Sequence, residues 1–108
     1  MKYFEIENKT NFKIPIDKWI KELEEDLIKI DENEYPIKLR IENSSYDNKE
    51  KRWQYSHFIP TENLIAIRIV PDTTLRQIKW SFMHEFRHFM QMNIGTLKNA
   101  THIDVDRE

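Results

Sequence analysis

The sequence has no cysteine and only one glycine among its 108 residues. The absence of cysteine excludes disulfides, thiolate nucleophiles and every zinc site that needs a cysteine ligand. A metal ion bound by this chain therefore has to be held by His, Asp or Glu side chains. At this length we expect a single domain, residues 1–108, with one compact core.

The sequence also lacks a strong net charge and a long apolar run. The net charge is −2 although 33% of the residues are charged, so no basic surface for nucleic acid is expected. No run approaches the roughly 18 apolar residues of a membrane span, and the first five residues lack the apolar core of a signal peptide. We therefore expect a cytoplasmic protein with no membrane or nucleic-acid partner.

The hydrophobic pattern predicts an α+β fold. In chain order the predicted elements are a strand at 2–7, an amphipathic helix at 17–30, a strand at 35–43, a loop at 43–51, a hairpin of 52–59 with 64–70, a helix at 75–93 and a short C-terminal helix from about 99 to 108. From this order we predict a mostly antiparallel sheet of three to four strands, covered by a backing helix and by the long helix.

The long helix contains His84-Glu85-Phe86-Arg87-His88, which matches the H-E-x-x-H pattern of zinc-dependent peptidases. Residues four apart share a helix face, so both imidazoles can reach one metal ion with Glu85 beside it. We therefore predict that His84 and His88 are metal ligands. Glu85 is the predicted general base, which takes a proton from a zinc-bound water as that water attacks a carbonyl.

A helical wheel separates two sides of this helix. The side predicted to enter the core carries Leu75, Ile78, Phe82, Phe86 and Phe89. A separate polar stripe, predicted to form the floor of a cleft, carries Gln77, Ser81, His84, His88 and Gln91. Glu85 falls between the two sides, where its carboxylate would be partly shielded from water.

A hydrolytic zinc ion usually has a third protein ligand. Glu108 lies twenty residues after His88 and is our first candidate for this ligand. The competing candidates are His102, Asp104 and Asp106 in the same segment. His57 is a further candidate, for stabilising an oxyanion.

With the motif and the spacing HExxH-x19-E, the chain resembles the minigluzincins, which are small zinc metallopeptidases similar to the catalytic domains of integral-membrane gluzincins. The match covers about residues 64–108 and rests on His84, Glu85, His88 and Glu108. The resemblance implies a zincin-like fold, one Zn²⁺ per chain and cleavage of an extended peptide or unfolded protein, paired with the sheet edge at 64–70. It also implies that the C-terminal segment can lie in the cleft and keep the enzyme latent.

Two other classes of protein also fit the sequence. One is a catalytically silent or regulatory zinc-binding module that holds a peptide in the same cleft. The other is a structural or interaction domain whose histidines bind no metal, because the phenylalanines of the long helix are sufficient for ordinary core packing. Metal content and turnover distinguish the three classes.

Overall fold

A computed structural model describes residues 2–93. The strands are β1 (Phe4–Asn8), β2 (Ile37–Asn43), β3 (Tyr46–Asp47), β4 (Arg52–Trp53), β5 (His57–Ile59) and β6 (Leu64–Ile69). The α-helices are α1 (Ile16–Glu22), α2 (Glu24–Leu27) and α3 (Leu75–Asn93), and single 3-10 turns lie at Glu32–Glu34 and Pro60–Glu62. No helix in the described part of the chain is long and apolar enough to cross a membrane.

The main sheet has four strands in the order β1-β2-β6-β5. The pairs β1/β2 and β2/β6 are parallel, and only β5/β6 is antiparallel, so the prediction of a mostly antiparallel sheet is wrong. The chain leaves β1, passes through α1 and α2, and returns to start β2 in the same direction. Parallel neighbours need a crossover of this kind, of about a dozen residues or more, and the segment between β2 and β6 supplies a second one.

The predicted hairpin is confirmed only for its inner part. β5 and β6 pair through His57↔Ala66 and Ile59↔Leu64. Residues 52 and 53 instead form β4, which pairs with β3 in a separate two-stranded sheet. The predicted loop at 43–51 therefore contains a short strand.

The core lies on one face of the main sheet. In-register neighbours such as Leu39↔Ile65 and Ile41↔Ile67 share that face, and all four side chains are at most 2% exposed. Against them packs the predicted apolar side of α3, of which Ile78, Phe82, Phe86 and Phe89 are buried. Leu75 was predicted to join them but is 45% exposed. A helical wheel gives the direction of a side chain, but not whether another element covers that turn.

The remaining predicted elements lie at the expected positions, but the structure differs from the prediction in several details. The predicted strands at 2–7 and 35–43 are present as β1 and β2, and the alternation in β2 is confirmed. The predicted helix at 17–30 is divided into α1 and α2. Trp19 on α1 is buried and stacks on Phe82 with ring centroids 6.3 Å apart, a contact that was not predicted. The predicted C-terminal helix lies outside the described residues.

The start of α3 is set by a reciprocal cap. The backbone N–H of Gln77 donates to Oγ1 of Thr74 at 3.2 Å, and the N–H of Thr74 donates to Oε1 of Gln77 at 2.9 Å. This capping box satisfies two backbone donors that a helix end leaves without partners. It therefore fixes the residue at which the metal-motif helix begins.

We predict that Thr74→Ala lowers the free energy of unfolding by about 1 kcal/mol, because one of the two capping hydrogen bonds is lost. Urea denaturation followed by circular dichroism measures the change. Thr61→Ala, at an exposed position of the second 3-10 turn, is the matched control and should shift the midpoint much less. Equal midpoints for Thr74→Ala and the native chain would contradict the capping role.

Candidate metal centre

His84, Glu85 and His88 come together on α3 where this helix packs against β5 and β6. One donor atom from each side chain, a ring nitrogen or a carboxylate oxygen, lies within 4.8 Å of the others. Among residues 2–93 this is the one group of three such side chains so close together. The prediction that the motif gathers two imidazoles and a carboxylate is confirmed, and the group could hold a metal ion.

The two imidazole rings are held in different orientations. The ring of His84 is stacked on the indole of Trp80, with centroids 4.8 Å apart and an interplanar angle of 13°. The ring of His88 stands nearly perpendicular to that of His84, at 82° and 4.9 Å. Within the described residues, the buried Nδ1 atom of His84 has no hydrogen-bond partner.

Glu85 is more deeply buried than the wheel predicted, with 6% of its surface exposed. The backbone N–H of Phe58, in β5, donates a hydrogen bond to its carboxylate. Burial raises the pKa of the Glu85 carboxyl to about 7, and the Phe58 hydrogen bond offsets part of that rise. The metal-free site therefore exchanges a proton near neutral pH.

The donor set fits a divalent metal ion. Imidazole nitrogens and a carboxylate oxygen are ordinary ligands of zinc and related ions. Without an ion, the chain buries a carboxyl group and also an imidazole nitrogen that lacks a described partner, and each costs free energy. A cation between the rings would offset the cost of burying the carboxyl group.

A cleft of about 260 Å³ opens beside the C-terminal half of the motif. Glu85 and His88 line it from α3, and His57, Phe58 and Pro60 line it from the opposite side. The predicted oxyanion candidate His57 is thus brought into the same cleft as the predicted base. Its side chain is exposed, as a group that meets a substrate must be.

A second pocket of about 260 Å³ lies on the N-terminal side of His84, and we call it the Trp80 groove. Its lining is mostly apolar and includes Tyr55, Ile67, Val70, Ile78 and Trp80. Among residues 2–93, the predicted polar stripe therefore contributes to two recesses. Gln77 and Ser81 line the groove, His88 and Gln91 line the cleft, and His84 lies between these pairs along the helix.

The sheet edge nearest the site is β5. β6 was predicted to be the exposed edge, and that prediction is wrong because β6 lies between β2 and β5. Among the described strands, the edges of the main sheet are β1 and β5. Since Phe58 in β5 bonds Glu85, this edge runs directly beside the motif.

The sequence did not point to two contributors to the site. The contribution of Trp80 could be predicted from the sequence, because Trp80 precedes His84 by four residues and therefore lies on the same helix face. The contribution of the Phe58 N–H could not be predicted from the sequence, because only the packing of β5 against α3 brings this N–H close to Glu85. The predicted third ligand Glu108 and its competitors His102, Asp104 and Asp106 all lie outside the described residues.

Comparison with known protein families, with curated proteins and with solved structures finds no significant match for this chain. The minigluzincin resemblance accordingly rests on the HEFRH motif and on the spacing to Glu108. Any function has to be argued from the site itself.

Because the pKa of Glu85 is raised in the fold, its contribution to stability depends on pH. Below the unfolded-state pKa of about 4.3 the carboxyl is protonated in both states. As pH rises toward 7 the unfolded state ionises first, so stability of the metal-free protein is lost through this range. We predict that Glu85→Gln, which stays neutral, is more stable than the native chain at pH 8, by at most on the order of 3 kcal/mol.

Thermal melts in chelator at pH 4.5 and pH 8 measure this difference, which should shrink at the lower pH. Glu62→Gln, on an exposed 3-10 turn, is the control for losing one carboxylate. A Glu85→Gln protein that is less stable than the native chain at pH 8 would contradict the effect of burial.

Proposed function

We propose that this protein is a zinc-dependent endopeptidase in which His84 and His88 hold the metal and Glu85 is the general base. The observation that carries the proposal is the buried Glu85 carboxyl next to two imidazoles on one helix face. Zinc, when bound, acts as a Lewis acid that polarises a carbonyl and lowers the pKa of water from about 15.7 toward 7. Glu108 remains the proposed third ligand.

Zinc is the proposed ion because of the donors available. The chain has no thiolate, and two imidazoles with carboxylates are the ligand set of hydrolytic zinc sites. Magnesium and calcium prefer oxygen ligands throughout, which two histidines do not provide.

Glu85 has the position and the environment that a general base needs. Burial raises the pKa of its carboxyl to about 7 in the metal-free protein, and burial of this kind makes a carboxylate a better proton acceptor. The hydrogen bond from Phe58 holds the carboxylate toward β5 and leaves lone pairs for a water molecule. Glu85 would take the proton of the attacking water and deliver it to the leaving amine.

The surroundings of the site support an extended peptide as substrate. The β5 edge and the cleft border the motif, and the Trp80 groove is next to it because Trp80 stacks on His84. A peptide laid along α3 would place neighbouring side chains on either side of the histidines. Backbone pairing with an edge strand tolerates many sequences, and the apolar groove would add selectivity for one side chain.

We predict one zinc per chain and cleavage of an unfolded protein substrate. Glu85→Gln should lower the cleavage rate at least about 100-fold while zinc remains bound, because the proton acceptor is removed and both imidazoles stay. His88→Ala should lose the metal. Metal analysis of the purified protein and a gel-based cleavage assay measure these outcomes, with Glu62→Gln as the control.

The same experiment distinguishes the other classes of protein. Cleavage that persists in Glu85→Gln would show that a contaminant is responsible. Zinc and peptide binding without turnover would favour the silent or regulatory module. If the native chain binds no zinc and its melting temperature does not change when zinc is added, both zinc-dependent classes are excluded. The structural or interaction domain is then the class that fits.

The Trp80 groove predicts a preference for a large apolar side chain next to the cleaved bond. Tyr55 is 65% exposed and lines the groove, so Tyr55→Ala should keep the fold and lose apolar contact with that side chain. We expect kcat/KM for such peptides to fall roughly 10-fold, from about 1–2 kcal/mol of lost contact. A fluorogenic peptide series that varies this side chain measures the change.

Tyr46→Ala is the matched control, because Tyr46 is an exposed tyrosine in β3 and is not part of the groove lining. Its kcat/KM should stay within a factor of two of the native value. If Tyr55→Ala affects peptides with small and large side chains equally, the groove does not select the substrate.

A further inference from the structure

We propose that Trp80 is a positioning residue that holds the ring of His84 in its metal-binding orientation. The inference rests on the proposed metal site and adds a residue outside the HEFRH motif. It concerns the binding of the ion, so it can be tested without any measurement of proteolysis.

His84 has an unusual environment for a metal ligand. A ligating histidine almost always donates its second ring N–H to a carboxylate, a backbone carbonyl or water, and this bond fixes the tautomer and the ring rotation. Within residues 2–93, Nδ1 of His84 is buried and has no such partner. Another contact has to keep this ring from rotating.

The stacking of Trp80 provides that contact. The two rings are nearly parallel, at 13°, with centroids 4.8 Å apart. Residues 80 and 84 are one helical turn apart, so a rigid helix sets their spacing. An indole lying flat on the imidazole blocks rotation about the Cβ–Cγ bond, because a turned ring would collide with it.

The face of the indole also favours the metal-bound state. Aromatic faces carry partial negative charge and attract a cationic group placed over them. A metal ion withdraws electron density from an imidazole, which makes the ring more positive. Trp80 therefore stabilises His84 more strongly with the ion than without it.

Trp80 is not explained as a core residue. It is 53% exposed, whereas the neighbouring core position Phe82 is 1% exposed. It also lines the Trp80 groove. A side chain bound in that groove would touch the same indole that holds the ligand, which would couple substrate binding to metal geometry.

Isothermal titration of zinc into the metal-free chain of 108 residues tests this role. We expect Trp80→Ala to bind zinc about 10- to 100-fold more weakly, the range found for outer groups that orient ligands. Trp80→Phe keeps a flat ring and should recover most of the affinity. Trp53→Ala is the matched control, because Trp53 is an exposed tryptophan on β4, and the zinc affinity of this variant should equal that of the native chain.

Two further measurements separate positioning from a general structural role. The melting temperature of metal-free Trp80→Ala should match that of the native chain. The visible absorption of the cobalt(II)-substituted protein should change in Trp80→Ala and not in Trp53→Ala, because it reports ligand geometry. If metal-free Trp80→Ala melts well below the native chain and Trp80→Phe does not recover zinc affinity, the role is structural and the inference is overturned.

The failure of this inference differs from the failure of the proposed function. If the native chain binds zinc and Trp80→Ala binds it equally well, Trp80 does not position His84 and the proposed metal site stands. If the native chain binds no zinc, the proposed function fails and the inference fails with it.

Discussion

The packing of the phenylalanine side of α3 against the sheet is the constraint on which the site depends. Phe82 contacts Phe4 of β1 at 5.6 Å between ring centroids, and Phe89 contacts Phe58 of β5 at 5.9 Å. Each buried phenylalanine contributes roughly 1.5–3 kcal/mol, so rotating the helix about its axis would cost more than any single polar contact could offset. The orientation of the histidines follows from this packing, because they occupy a different sector of the same helix.

The same packing gives Glu85 its chemical character. Glu85 lies at the border between the apolar side and the histidines, so the core that buries Phe86 and Phe89 also removes the Glu85 carboxyl from water. The contact of Phe58 with Phe89 brings β5 close enough for its backbone N–H to reach that carboxyl. A hydrophobic contact and a raised pKa thus have a common structural cause.

The sheet shows where prediction from sequence failed and why. The alternation of Ile37, Leu39 and Ile41 correctly predicts β2, because side chains in a strand point to opposite faces whichever way the neighbouring strand runs. That same independence means that alternation carries no information on strand direction. The element order β1, helices, β2 did carry it, since a strand, a helical crossover and a second strand form a parallel unit. This connectivity predicts the parallel β1/β2 pair, whereas the segment between β2 and β6 contains no α-helix and gives no such signal.

By itself, the sequence determined the local features: the start of α3 at Leu75, its apolar and polar sides, and the close spacing of His84, Glu85 and His88 on one turn. These features follow from helix geometry, which depends only on nearby residues. Only the tertiary structure decided which strand lies beside the motif, how deeply Glu85 is buried and which residues of 2–93 line the cleft at His88 and the Trp80 groove. Those features arise from contacts between residues far apart in the chain, such as Phe58 with Glu85, and no local pattern encodes them.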